Sequence, residues 1–309
     1  MRPAEPRVLA IVGPTAVGET ALALRLGAAC GGEVVSADSR QIYCSMDIGT
    51  AKPTPAERAT VPHHLVDIVD PDERLTLAQY RERAAAAIAD IWSRGALPML
   101  VGGTGLYVRA LLEGWTVPEV PPDPELRAQL AATAECEGAE TLHARLGMVD
   151  PDAAARIDAR NVRRVIRALE VYAHTGEPIS RQQAKQPPAY RVLMLGLTLA
   201  RPQLYARIDS RIDAMLAAGL IEEVRGLLAR GYTPELASMS ALGYREIAAH
   251  LRGDLDLAQA VALIRRSTRR FVRQQYNWFR LEDTHIHWLD AATLDWSALV
   301  AWVRAWEAA

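Results

Sequence analysis

Val8-Leu9-Ala10-Ile11-Val12-Gly13-Pro14-Thr15-Ala16-Val17-Gly18-Glu19-Thr20 is the stretch that decides how this chain folds. Its first five residues are apolar and stop at Gly13-Pro14, which reads as a buried parallel strand entering a tight turn. The residues from Thr20 to Ala29 read as a helix. A glycine-containing loop between strand and helix is the setting of the G-x-x-x-x-G-K-[ST] pattern, whose backbone N–H groups wrap phosphates. Here Gly13, Gly18 and Thr20 match, but Glu19 stands where the pattern has lysine. A unit charge about 4 Å from a phosphate charge is worth roughly 4 kcal/mol at an effective dielectric near 20, and glutamate reverses its sign. The loop therefore reads either as a phosphate site with altered charge or as a turn that merely joins strand to helix.

Working outward, Glu33–Ser36 reads as a second strand, Leu75–Arg94 as a long Ala-rich helix, and Leu97–Val101 as a third strand ending at Gly102-Gly103. Strands alternating with helices predict an α/β fold with a parallel sheet. The texture changes after Trp115, where Pro118, Pro121, Pro122 and Pro124 precede Ala/Leu/Arg-rich helical segments that close at Pro187-Pro188. The expected organisation is a core of residues 1–116 and 189–309 with a helical insertion at 117–188. Strand character returns at Arg191–Thr198, followed by helices at Pro202–Ala217 and Ile221–Ala229. Leu257–Arg280 reads as one helix because Ile264, Phe271 and Trp278 recur every seventh residue and can share an apolar face. A strand at His285–Leu289 and a Trp-containing helix finish the chain.

Half of the 309 residues are apolar and 23% are charged, the balance of a globular protein rather than a disordered one. The formal net charge of -2 gives no global sign of nucleic-acid binding, so such a partner must be drawn by local clusters of arginine. Cys30, Cys44 and Cys136 lie far apart, which indicates neither a zinc site nor a disulfide framework and fits a reducing cytoplasm. The run Val8–Val12 is too short for a signal-peptide core, and no later segment reaches a membrane span, so no membrane partner is expected. His63-His64 reads as structural and the seven tryptophans as packing anchors.

Further blocks follow in order: Ser36-Ala37-Asp38-Ser39-Arg40-Gln41-Ile42-Tyr43, Met46-Asp47-Ile48-Gly49-Thr50-Ala51-Lys52-Pro53, and Gly102-Gly103-Thr104-Gly105-Leu106-Tyr107. With the loop at Gly13 they resemble the tRNA dimethylallyltransferase (tRNA isopentenyltransferase) family. The resemblance extends to Arg164–Val171, Gly243-Tyr244-Arg245-Glu246, Thr268–Phe271 and Trp278-Phe279-Arg280, and so covers nearly the whole chain. It implies a P-loop nucleotide-kinase-like core, dimethylallyl diphosphate as donor and the anticodon stem-loop of tRNA as acceptor. In that reaction the exocyclic amine of an adenosine attacks the donor's first carbon and diphosphate leaves. Gln274 and Asn277 depart from the family's more usual Arg and Thr.

Granted that reaction, the residues take roles. An aromatic amine needs its proton removed during attack, so Asp38 is the candidate general base; its other reading is a turn or helix-cap aspartate. Thr104 is expected beside the adenosine. Gly13, Pro14, Thr15, Ala16, Val17, Gly18, Glu19 and Thr20 would face the diphosphate, with the Thr20 hydroxyl on Mg²⁺. Lys52 and Arg211 are the further candidate cations, Arg211 being paired with Arg207 on one helix face. Ser39, Arg40 and Gln41, next to Asp38, are candidates for tRNA contact. So are Arg127, Arg163, Arg164 and Arg167 of the insertion, and the stripe Arg266, Arg270 and Arg273 opposite Phe271 and Trp278, unless these form merely solvated faces. Two rivals remain at this point: a P-loop small-molecule kinase using Asp67 for its metal, and a tRNA-binding homologue impaired by Glu19. A monomer is the favoured state.

Overall fold

In the computed structural model, residues 5–116 and 118–309 are described. β1 (Arg7–Val12) lies at the centre of the sheet, paired in parallel with β4 (Leu97–Val101) on one side and β5 (Arg191–Thr198) on the other. Beyond β4 come β2 (Gly32–Ser36) and β3 (His63–His64), and beyond β5 comes β6 (His287–Asp290). The six-stranded order is β3-β2-β4-β1-β5-β6, and every pairing is parallel.

Continuous apolarity in β1 from Val8 onward and in β4 follows from burial on both faces, because successive side chains point to opposite sides. Leu9 and Ile11 pack with Leu22 and Leu26 of the helix Glu19–Cys30 and with Ile208 and Ile264. Val8, Ala10 and Val12 pack on the other side with Tyr80 and Ile88 of the helix Leu77–Ser93. That helix begins with a capping box in which Thr76 and Gln79 satisfy each other's backbone N–H groups. Consequently the carboxyl ends of β1, β2 and β4 open together at one edge of the sheet, where ligand crevices of parallel α/β folds form.

The chain divides into two compact units, one running to Leu112 and resuming at Ala189, the other Glu113–Pro188. The expected boundary at 117 falls on a residue outside those described, as do residues 1–4. Within the second unit Trp115 bridges to Lys185, and Thr116 and Ala184 exchange hydrogen bonds, so its two chain ends pair with each other. Its core is Leu142, Leu146, Val165, Ala168 and Val171, drawn from the helices Ala139–Val149 and Val162–Thr175.

Two local expectations need correction, and one strand was not anticipated. β3 is two residues long and carries no alternating pattern to announce it. The last strand starts at His287 because a turn bonding Ile286 N–H to the Asp283 carbonyl takes up the preceding residues. In the helix Leu257–Trp278 the buried face is Ala260, Ile264, Val272 and Gln275, whereas Phe271 is 37% exposed. A seven-residue spacing drifts about 20° per repeat around a straight helix, so Ile264, Phe271 and Trp278 do not stay on one buried line.

Candidate functional site

A cavity of about 770 Å³ opens at the carboxyl edge of the sheet. It is lined by Thr15, Gly18, Glu19 and Thr20 of the first loop, by Asp38–Gln41 after β2, and by Gly102–Leu106 after β4. Arg211, Arg270, Phe271 and Trp278 line it from the later helices.

The first loop is held in shape from several sides. Val17 N–H bonds the Pro14 carbonyl, Arg207 donates to the Val17 carbonyl at 2.9 Å, and Ala16 and Gly18 take positive φ. Gly18 offers no side-chain cap to the helix Glu19–Cys30, whose first amides are left for a ligand. Thr15 N–H is used internally, donating to Gln275 Oε1 at 2.9 Å, while Gln275 Nε2 donates to the Gly103 carbonyl at 3.2 Å. Gln275 is buried and thus ties the loop after β1 to the turn after β4. A Cβ on Gly103 would lie 2.1 Å from Gln275 Nε2, so a larger residue there would expel this tie.

Gly102 has φ +148°, and a Cβ on it would sit 2.6 Å from the Ala37 backbone, so only glycine lets the ends of β2 and β4 approach this closely. That approach brings Thr104 to the Asp38 segment: Thr104 N–H donates to the Ala37 carbonyl, and Thr104 Oγ1 accepts from Ser39 N–H at 3.0 Å. Asp38 Oδ1 accepts from Arg40 N–H at 2.7 Å. Burial raises the Asp38 carboxyl above its usual range, and the Arg40 and Gln41 amides hold it back only in part. A carboxylate so placed is a stronger base than a solvated one.

Glu19 is the first residue of its helix, and its Oε1 is buried with no hydrogen-bond partner among the described residues. Burial, reinforced by Asp38 and only partly opposed by Arg211, pushes its carboxyl well above the usual range. The charge reversal read from sequence is therefore softened within the cavity. Arg211 also lines the cavity and makes no hydrogen bond or ion pair among the described residues; burial lowers its pKa, and attraction to Glu19 opposes this.

Other expected site residues are placed elsewhere or already engaged. Lys52, expected at the diphosphate, is outside the cavity lining: its Nζ donates to the Tyr43 carbonyl at 2.7 Å and to Asp47 and Asp67 at 2.5 Å each. A buried ammonium needs such partners, and three acceptors consume its three N–H groups. Arg40 donates to the Ala237 carbonyl and to Ser240, and Gln41 donates to the Thr50 and Ala51 carbonyls, so both brace loops from within. Arg127 and Arg167 grip Glu170, which is wholly buried. Their hydrogen bonds hold its carboxyl at about 2 despite burial. Arg163 and Arg164 are exposed, as are Arg266, Arg270 and Arg273, and none forms an ion pair among the described residues. His64 pairs with Glu33 and His63 with the Val61 carbonyl, and no group of three or more His, Cys, Asp or Glu among the described residues could hold a metal.

Two residues were missed from sequence. Gln275 is one. Glu223 is the other: it accepts from the amides of Asp47, Ile48 and Gly49 and from the Tyr244 hydroxyl at 2.6 Å, fixing the Met46–Pro53 block. Neither stands in a glycine-rich block, and polar residues on helices that turn inward have no spacing that separates them from solvated ones. No helix among the described residues is long and apolar enough to cross a membrane.

Comparison with known proteins accounts for this assembly. Residues 41–282 match the model of the "IPP transferase" family and residues 6–67 that of "Isopentenyl transferase". A tRNA dimethylallyltransferase of Roseiflexus castenholzii is 61% identical over 273 residues, covering 88% of this chain and 89% of its own. One from Chloroflexus aggregans is 54% identical, covering 95% of this chain and 99% of its own. Among solved structures, the tRNA isopentenylpyrophosphate transferase of Bacillus halodurans superposes with a TM-score of 0.72 at 40% identity, covering 98% and 96% of the two chains. A eukaryotic dimethylallyltransferase captured acting on tRNA gives 0.77 at 28% identity, covering 97% and 77%.

Proposed function

The chain belongs to the tRNA dimethylallyltransferase family, and from that premise we infer that it transfers a dimethylallyl group from dimethylallyl diphosphate to an adenosine beside the anticodon of tRNA. The bond between the donor's first carbon and its bridging oxygen breaks, and its electron pair leaves with the diphosphate. The exocyclic nitrogen of adenine forms the new carbon–nitrogen bond and gives its proton to Asp38. The protein works in the cytoplasm on a substrate that it meets by diffusion.

One observation carries the assignment of parts: Asp38 and Thr104 share a single cavity with the first loop and Arg211. Diphosphate gathers charge as it leaves, and the free amides of Gly18–Thr20 with the guanidinium of Arg211 stabilise that charge more than they stabilise the ground state. Phe271, Trp278 and Leu106 give the prenyl chain an apolar wall and exclude water from a carbon that water would otherwise attack. Thr104, fixed by Ser39 and Ala37, orients the adenine amine towards Asp38. The Thr20 hydroxyl, which lines the cavity, is an oxygen donor suited to Mg²⁺, which when bound neutralises diphosphate charge. Arg163, Arg164, Arg266, Arg270 and Arg273 are left to meet tRNA phosphates.

The kinase alternative is not favoured. Asp67, its candidate metal ligand, is bound by Lys52 and Arg58 and lies outside the cavity lining. An impaired tRNA-binding homologue is not favoured either, since Asp38 and Thr104 are intact and face the cavity. Asp38→Ala tests the assignment: single-turnover transfer falls by about 10²- to 10⁴-fold, the usual worth of a positioned base, while tRNA affinity stays within about twofold. A near-normal rate in that variant removes Asp38 from the base role.

A further inference from the structure

Glu19 Oε1 has no hydrogen-bond partner although it is buried at the wall of the cavity. A buried carboxyl oxygen left in that state is costly, and only a proton or a cation relieves it. Two other cations are committed elsewhere: Arg207 donates to the Val17 carbonyl, and Lys52 is held by Tyr43, Asp47 and Asp67. Arg211 attracts Glu19 but forms no ion pair with it. Glu19, which lines the cavity, therefore keeps a carboxyl with unused acceptor capacity beside the uncapped amides of Gly18–Thr20.

We propose that Glu19 is a ligand of the divalent cation that arrives with the diphosphate, so that this chain takes its donor as a metal complex through a carboxylate. This rests on the reading that the cavity binds a diphosphate. Mg²⁺ is commonly held by one or two carboxylates together with substrate phosphate oxygens rather than by an all-protein cage. The described residues fit that division of labour, because no cluster among them could hold the ion unaided while a single carboxyl with an unpartnered oxygen lines the cavity at the phosphate loop. The phosphate-loop pattern places a fixed lysine cation at this position; here the positive charge is brought in by the ligand. Donor binding then becomes steeply dependent on free divalent metal, whereas a lysine loop would bind metal-free diphosphate as well.

Calorimetric titration of the full chain with inorganic pyrophosphate, in chelator and in excess Mg²⁺, reads this directly without any turnover. The Mg²⁺-dependent gain in pyrophosphate affinity should be at least about tenfold larger for the unaltered protein than for Glu19→Gln, which keeps shape but cannot ligate as an anion. Glu19→Lys should bind metal-free pyrophosphate most tightly of the three. Mn²⁺ titrated in the presence of pyrophosphate and followed by electron paramagnetic resonance should bind the unaltered chain more tightly than Glu19→Gln. Thermal melting confirms that the variants fold, and the Gln comparison suffices if the Lys variant does not. Equal metal gain in the unaltered and Gln proteins means that a proton satisfies Glu19, which overturns the proposal while leaving the transfer reaction intact. Failure of every form to bind pyrophosphate overturns the proposal together with the diphosphate reading beneath it.

Discussion

Glu19 and Glu170 are both glutamates on helices with buried carboxyl oxygens, and they behave in opposite ways. Glu170 accepts from Arg127, Arg167 and the Asp123 amide, and its carboxyl is held at about 2. Glu19 has an oxygen with no partner, and its carboxyl is pushed well above the usual range. The first knits together a small helical core; the second faces a cavity. Charges that find partners within the chain build the fold, and those that the fold leaves unpartnered mark where something else must bind. The arginines divide in the same way: Arg265 and Arg269 are tied to Asp213 and Asp209, whereas Arg266, Arg270 and Arg273 on the same helix are not paired among the described residues.

The largest break in this contrast comes from removing the partnered carboxylate. Glu170→Ala leaves two arginines without their shared anion, and because both are partly solvated the cost should be about 3 kcal/mol, at the low end for breaking a buried ion pair. Chemical denaturation followed by hydrogen exchange should locate the loss in Glu113–Pro188. With its folded pKa depressed, Glu170 contributes stability that is present above the unfolded value and lost as pH falls towards about 2. The Ala variant should accordingly lose the corresponding part of the acid transition.

Neutralising Arg266, Arg270 and Arg273 together should weaken tRNA binding and flatten its salt dependence by roughly 0.7 to 0.9 in log–log slope per lost phosphate contact. Neutralising Arg265 and Arg269 should instead lower stability and leave that slope unchanged. Equal slopes for the two sets would show the first to be a solvated face and would erase the distinction on this helix.

The smallest effect sharpens the comparison through pH. With its folded pKa raised, Glu19 contributes stability that is whole below the unfolded carboxylate value and is lost as pH rises through the higher folded one. Glu19→Gln keeps the neutral shape at every pH, so in the ligand-free, metal-free protein its melting temperature should gain on the unaltered chain as pH rises above the usual carboxylate range. A constant difference over that rise would mean that Glu19 is solvated.

Much of this was legible in the residues. Apolar runs that stop at glycine located β1 and β4, and the Asp38 and Gly102–Thr104 blocks pointed to the walls of one cavity, because backbone requirements leave marks at fixed spacing. Lys52 was misplaced since its partners, Asp47 and Asp67, converge only after the chain turns through positive φ at Ala51, Leu65 and Asp67. Gln275 looked no different from Gln274 until helix rotation put one inside and the other at the surface. Whether a charge is partnered is a property of the fold, and sequence spacing reports it only within a helix turn or two.

The central claim is tested most directly by incubating the protein with unmodified tRNA and dimethylallyl diphosphate, digesting the tRNA to nucleosides and measuring their masses. A dimethylallyl group on an adenosine that maps beside the anticodon, formed together with released diphosphate, is the expected result. Unmodified adenosine at every position, from protein that is folded and binds the tRNA, would contradict it.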